Sequence, residues 1–301
     1  MTRAQRCGLK SAIGCEGIGL HSGALVRLRL LPAEPGSGIL FRRADLGIAI
    51  PAWYDHVVDT RLSTVLADPA RPEARVATIE HLMAALAGAG IDDAVIELDG
   101  PEVPVLDGSA AEFAFLIGCA GIEETGPRRD RIEVLRTVRV EDGEAFGELQ
   151  PAPFARESFS MSLSIDFPAR AIGRQTLGLD LDPESFARDL ARARTFTLAS
   201  EIEALHEAGL ALGGSLANAV VVDDDKVLNP EGLRYPDEFV RHKMLDVVGD
   251  LALAGAPISG RFLGNRTGHR LNNALLRALF ADPANYRLWH APIGMPEAVA
   301  A

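Results

Sequence analysis

The sequence predicts an α+β fold of two similar domains, each a β-sheet layered with helices, with helices of the two domains packed together between the sheets. Composition, periodicity and element order predict it. The chain has 301 residues, 48% apolar and 24% charged, the balance of a folded chain long enough for two domains, although one large domain is compatible with length alone. Alternating apolar runs mark strands in both halves. Each half then repeats one order: strands, a helix, a strand and a second helix. In the first half the last three read E-H-L-M-A-A-L-A-G-A-G, A-V-I-E-L and S-A-A-E-F-A-F-L; in the second they read R-H-K-M-L-D-V-V-G-D-L, I-S-G-R-F and G-H-R-L-N-N-A-L-L. An internal duplication accounts for this economically despite low identity, and it predicts equivalent helices facing each other across a pseudo-two-fold axis.

Leu25–Leu31 alternates as a strand and ends at Pro32; a strand over 38–43 follows a Pro-Gly-Ser turn. A helix is expected over 78–86, with Thr78 placed to cap it and Gly88 and Gly90 ending it. Ala94–Leu98 is the next strand, followed by the turn-rich D-G-P-E-V-P-V-L-D-G-S and a helix over 110–119. The charged segment 123–131, with Gly126 and Pro127, reads as a linker and divides the chain into domains 1–126 and 127–301. Strands are expected over 132–140 and 159–167, a long helix over 237–253, a strand over 258–262 and a last helix over 269–280. The second half carries an extra piece, about 193–229: a helix over 198–208, a turn at Gly213 and Gly214, a strand over 219–222 and the acidic turn 223–225. Such an insertion can build a ligand wall that the first half lacks.

The net charge of −12 argues against a non-specific nucleic-acid or anionic-membrane binder, while leaving room for a local basic pocket. Cys7, Cys15 and Cys119 are odd in number and form no C-x-x-C pair, so small buried thiols in a reducing compartment are expected. Residues 1–10 carry Arg3, Arg6 and Lys10 without an apolar core and do not read as a signal peptide. No apolar stretch approaches the ~20 residues that span a bilayer. The expectation is a cytoplasmic protein without stable membrane insertion, and a monomer.

The strongest local signal is R-H-K-M-L-D-V-V-G-D, residues 241–250. On a helix His242, Asp246 and Asp250 fall at i, i+4 and i+8 along one face. Ionisable groups on so apolar a helix need partners. A His and a carboxylate one turn apart can chelate a metal; a solvated or salt-bridged face is the alternative, because such pairs are common. Glu80 and His81 open the earlier helix. Catalytic zinc usually takes three protein ligands and leaves a position for water, so His81 would complete the set and Glu80 would be the general base. The alternative is a first-turn carboxylate favoured by the helix dipole beside a packed imidazole. His269 follows Gly268 at the start of the last helix. It could meet a leaving group or oxyanion, oriented and held cationic by Asp250, or be an ordinary helix-start residue. Lys243 and Arg266 could meet phosphates or be surface charges. His21, in G-I-G-L-H-S-G, sits where backbone can approach a ligand closely. His56, His206 and His290 stand alone and read as structural or surface residues.

T-I-E-H-L-M-A-A-L-A-G-A-G-I-D, P-E-V-P-V-L-D-G-S-A, G-I-G-L-H-S-G, A-R-T-F and E-F-V-R-H-K-M-L-D-V-V-G-D-L together resemble the UDP-3-O-acyl-N-acetylglucosamine deacetylase family, zinc amidases of lipid A biosynthesis in Gram-negative bacteria. The resemblance runs over about residues 2–289. It implies a two-domain α+β fold with the site between domains, and hydrolysis of the 2-acetamido group of the acylated UDP-sugar to an amine and acetate. It implies one Zn2+ per chain on His81, His242 and Asp246, with Glu80 as base and His269 as cationic catalyst partnered by Asp250. It further implies Thr195 as an oxyanion donor, Lys243 as a substrate contact, and the insertion as a passage for the acyl chain, for which Leu20, Phe196, Ile202, Ala219 and Val221 are the candidate lining. The implied partner is a small-molecule substrate and not a nucleic acid. Two residues depart from the family pattern. Ser63 stands where a cysteine is frequent, which would weaken a second, inhibitory zinc. Arg266 stands where a lysine is usual, which keeps positive charge but changes donor geometry. The same chemistry would serve an amidase for another N-acylated sugar. A closed structural metal site would need a fourth ligand, and the sequence offers no obvious one.

Overall fold

The computed structural model describes residues 5–152 and 158–289; Arg3 and His290 lie outside them. The fold is mixed α and β. In the first half five strands pair in the order Ile13–Ile18, Leu25–Leu31, Ala94–Leu98, Ile39–Arg43, Ile48–Pro51. In the second half Val138–Asp142, Ala145–Gln150, Ile258–Asn265, Phe159–Asp166 and Arg174–Leu181 pair in that same order. In each, the strand that follows the helix lies in the middle, antiparallel to one neighbour and parallel to the other. The repeated order expected of a duplication is therefore present as a repeated topology. Leu25–Leu31 shows why such strands form: Val26, Leu28 and Leu30 are buried while Arg27 and Arg29 point to solvent.

The longer helices are α1 (Glu80–Ala89), α2 (Ala111–Ala120), α3 (Ala199–Glu207), α4 (Glu238–Ala252) and α5 (His269–Ala281). Helices α1 and α4, one from each half, pack directly against each other. Gly249 allows the crossing: a Cβ there would stand 2.0 Å from the Glu80 carbonyl oxygen. One hydrophobic core, including Leu82, Leu86, Leu245 and Val248, runs through this layer. No described helix is long and apolar enough to cross a membrane.

Several expectations need correction. The supposed linker is largely a strand, Ile122–Arg128, paired antiparallel with Gln5–Leu9; Glu123 and Glu124 are exposed, which gave it the charge of a loop. The run over 132–140 is two strands, Arg131–Val134 and Val138–Asp142, with different partners. Thr78 does not cap α1. Its φ is 57°, its hydroxyl donates to Glu102 Oε1 at 3.0 Å, and α1 starts at Glu80 without a side-chain cap. The insertion contains its helix and Val220–Asp223, and also a strand, Phe196–Leu198, parallel to Val220–Asp223. A three-stranded sheet over Val57–Asp59, Val65–Asp68 and Arg71–Val76 was not anticipated.

Candidate active site

The α1–α4 crossing brings the first turn of α1 against the middle of α4, so Glu80, His81, His242, Asp246 and Asp250 are all buried in one place. His81, His242 and Asp246 each offer a ligand atom, and these lie within 4.8 Å of one another. Asp246 Oδ1 is 3.4 Å from His242 Nε2 and 3.7 Å from His81 Nε2. His242 Nδ1 donates to the Ala193 carbonyl at 3.1 Å, leaving the Nε2 lone pair directed at the cluster. Phe196 packs edge-on to the same ring at 6.2 Å.

The electrostatics suit a cation. Asp246 Oδ1 is buried and has no hydrogen-bond partner among the described residues, while Oδ2 accepts from Lys243 Nζ at 2.5 Å. An orphaned carboxylate oxygen is costly to bury unless something positive completes it. Burial, with His242 adding, pushes His81 down to about 3, and burial also lowers His242, so both imidazoles are neutral, the form that can ligate a metal. Burial alone would raise Asp246, but His242, Lys243 and His269 outweigh it and hold the carboxyl well below the usual range. Two neutral imidazoles and a carboxylate are a zinc donor set of the open, catalytic kind.

Beside this cluster lies a carboxyl–imidazole pair, Glu80 and His269. Glu80 Oε2 accepts from the Thr64 backbone N–H at 3.0 Å. Burial, with Asp246 and Asp250 adding and His269 opposing, raises Glu80 to about 7. His269 Nδ1 donates to Asp250 Oδ2 at 2.8 Å, and its Nε2 stands 3.9 Å from Glu80 Oε1. Burial would lower His269, but Asp250 and Glu80 raise it to about 9, so it is cationic at neutral pH. Asp250 also accepts from Thr64 Oγ1 at 2.6 Å and from Asn272 Nδ2 at 2.8 Å. A pocket of about 190 Å³ opens over the site; Glu80, His81, Thr195, His242, Asp246 and His269 meet apolar Leu20, Phe167, Phe196 and Leu198 there. A larger cavity, about 580 Å³, lies toward the other end of the α1–α4 pair beside Met83, Leu86 and Val248. Glu80, His81, His242, Asp246 and His269 all border the smaller one.

A family model described as UDP-3-O-acyl N-acetylglycosamine deacetylase matches residues 6–281. The chain belongs to this family. It is 49% identical over 282 residues to the UDP-3-O-acyl-N-acetylglucosamine deacetylase of Myxococcus xanthus, covering 93% of this chain and 88% of the relative. It is 52% identical over 275 residues to the enzyme of that name from Acidithiobacillus ferrooxidans, covering 90% and 88%. With the one from Shewanella denitrificans it shares 48% over 276 residues, covering 90% and 88%.

Not every candidate for this deacetylase fold's site sits at the pocket. Lys243, Leu20, Phe196 and Thr195 border it. Ile202, Ala219 and Val221 do not border it; Ala219 and Val221 are buried within the insertion and Ile202 is half-buried on α3. Arg266 does not border it either, and pairs at 2.6 and 2.7 Å with Glu144 and Asp166. His21 does not border it: its backbone N–H donates to Glu102, and both its ring nitrogens are buried without partners among the described residues. Ser63 is buried next to Thr64. His56 pairs with Asp55, and His206 is exposed on α3. Thr64, Asn272 and Phe167 are site residues that the sequence reading missed; Thr64 follows Ser63 in R-L-S-T-V-L, and Asn272 lies one turn after His269.

Proposed function

We propose that the protein is a zinc-dependent deacetylase that hydrolyses the 2-acetamido group of UDP-3-O-acyl-N-acetylglucosamine to the free amine and acetate, the committed step of lipid A biosynthesis, and that it works as a cytoplasmic monomer. The observation that carries this is the orphaned Asp246 Oδ1 facing two neutral imidazoles, with Glu80 and His269 alongside. His81, His242 and Asp246 would hold Zn2+, which when bound supplies Lewis acidity, acidifying a water and polarising the amide carbonyl.

Glu80 takes a proton from the attacking water; a carboxyl raised to about 7 is matched to that exchange near neutral pH. As the water oxygen adds to the amide carbon, charge develops on the carbonyl oxygen, and the Thr195 hydroxyl donates to it. His269, cationic and oriented by Asp250, gives its Nε2 proton to the departing nitrogen as the C–N bond breaks. Lys243 neutralises the outer oxygen of Asp246 and leaves the inner one free. Leu20, Phe167 and Phe196 form the apolar wall on which the start of an acyl chain would lie.

Acetate release from the 3-O-acylated and unacylated UDP-sugars tests the reading. Faster turnover of the acylated substrate by zinc-loaded protein is expected. Equal rates would remove the lipid-precursor assignment, and no release from either would remove the deacetylase.

A further inference from the structure

Arg194 is only 1% exposed, although it carries a full charge. Its Nε and Nη2 donate to Glu238 Oε1 and Oε2 at 2.9 and 3.2 Å. Nη1 donates to Glu231 Oε1 and Nη2 to the Gly232 carbonyl, each at 2.7 Å. The Arg194 backbone N–H reaches the same Glu238 Oε1 at 3.0 Å. Glu238 is completely buried and also accepts from the Arg234 backbone N–H at 2.5 Å. Both chain neighbours of Arg194 serve the site: the Ala193 carbonyl accepts from His242 Nδ1, and Thr195 borders the pocket. Glu238 opens α4, and His242 follows one turn later on the same face. Residues 193–195 are thus stitched to one turn of α4 at two points, the ion pair and the bond to His242.

We propose that Arg194 and Glu238 are positioning residues: their buried pair sets the Ala193 carbonyl against His242 Nδ1, fixing the tautomer and ring plane of a metal ligand, and holds Thr195 at the pocket. This rests on the metal-dependent function proposed above. A buried ion pair adds little stability over apolar residues of the same volume; what it can add is register. The guanidinium fork fits its three acceptor residues in one arrangement, which a flexible ammonium does not enforce.

Two variants separate positioning from stability. Arg194→Lys keeps a cation opposite Glu238 but cannot reach Glu231, Gly232 and both Glu238 oxygens together. The double variant Arg194→Met/Glu238→Met replaces the pair with apolar volume. Zn2+ affinity is measured by chelator competition, ligand geometry by the visible bands of the Co2+-loaded protein, and kcat and KM on the acylated substrate. Both variants should unfold cooperatively, bind Zn2+ about 10- to 100-fold more weakly than the unaltered chain, shift the Co2+ bands, and lose kcat more than KM. Unaltered affinity, bands and kcat in a folded variant would overturn the proposal. Failure of both variants to fold would also overturn it, because the pair would then hold the fold rather than the ligand. If the unaltered chain binds neither metal, the metal-dependent function falls and this proposal with it, a result distinguished by appearing without any substitution.

Discussion

His269 stands between two carboxylates, Asp250 at 2.8 Å and Glu80 at 3.9 Å, and that position sets its charge. Its pKa is raised to about 9, so the proton it would donate is present below that pH and lost as pH rises through it. The rate should therefore fall on the alkaline side near pH 9. Asp250→Asn removes the largest raising influence and should move that limb to lower pH in a kcat/KM profile; an unmoved limb would detach it from His269. Glu80→Gln keeps the side-chain shape but cannot take a proton. It should lose on the order of 10²- to 10⁴-fold in kcat while binding Zn2+ as before, and near-normal turnover would remove Glu80 as the base. Glu80 and Asp250 were legible because each stands beside a candidate ligand, Glu80 next to His81 in α1 and Asp250 one turn from Asp246 in α4, while His269 was marked by its place at the start of α5. Thr64 was not: it meets Asp250 from 186 positions away, a contact only the tertiary fold creates. The Ala193 carbonyl that orients His242 is backbone and has no signature in residue type at all.

Elements bearing the site are set by close approaches that periodicity does not reveal. Gly249 reads in sequence as a weak point of α4, yet it is the residue over which α1 passes. Gly249→Ala would place a methyl 2.0 Å from the Glu80 carbonyl oxygen, a backbone atom that cannot swing aside. The helices must separate, at a cost of about 1–3 kcal/mol by the usual scale of overpacking. Denaturant unfolding should show that loss together with weakened Zn2+ binding, since His81 and His242 would move apart; unchanged stability would mean that the helix crossing does not depend on the glycine. Thr78 carries a second lesson. Threonine before an apolar run suggests a cap, but here its backbone is left-handed, costly for a β-branched side chain by ~1–3 kcal/mol. The bond to Glu102, which also accepts from the His21 and Ser22 backbones, holds that turn beside Glu80. Strands with strict alternation, such as Phe159–Asp166, were legible. Arg71–Val76 was not, because its first residues are exposed and include a proline.

At the scale of the molecule, the duplicated strand order explains why His81 comes from one half and His242 and Asp246 from the other: α1 and α4 hold equivalent places, and the cluster lies where they meet. We propose that the halves divide near residue 126, within the ribbon that Ile122–Arg128 makes with Gln5–Leu9. A metal on His81, His242 and Asp246 would then tie one half to the other. Because the unfolded chain does not hold these three together, free Zn2+ at a hundred times its Kd should stabilise the fold by about 2.7 kcal/mol, and chelation should remove that gain. The increment belongs to the junction rather than to either half, so His81→Ala in the first half should abolish it as fully as Asp246→Ala in the second. Thermal or denaturant unfolding of the three proteins, with Zn2+ and with chelator, measures it. Equal Zn2+ stabilisation in His81→Ala and the unaltered chain would show that the metal is held by the second half alone, and the view of the site as a bond between halves would fail.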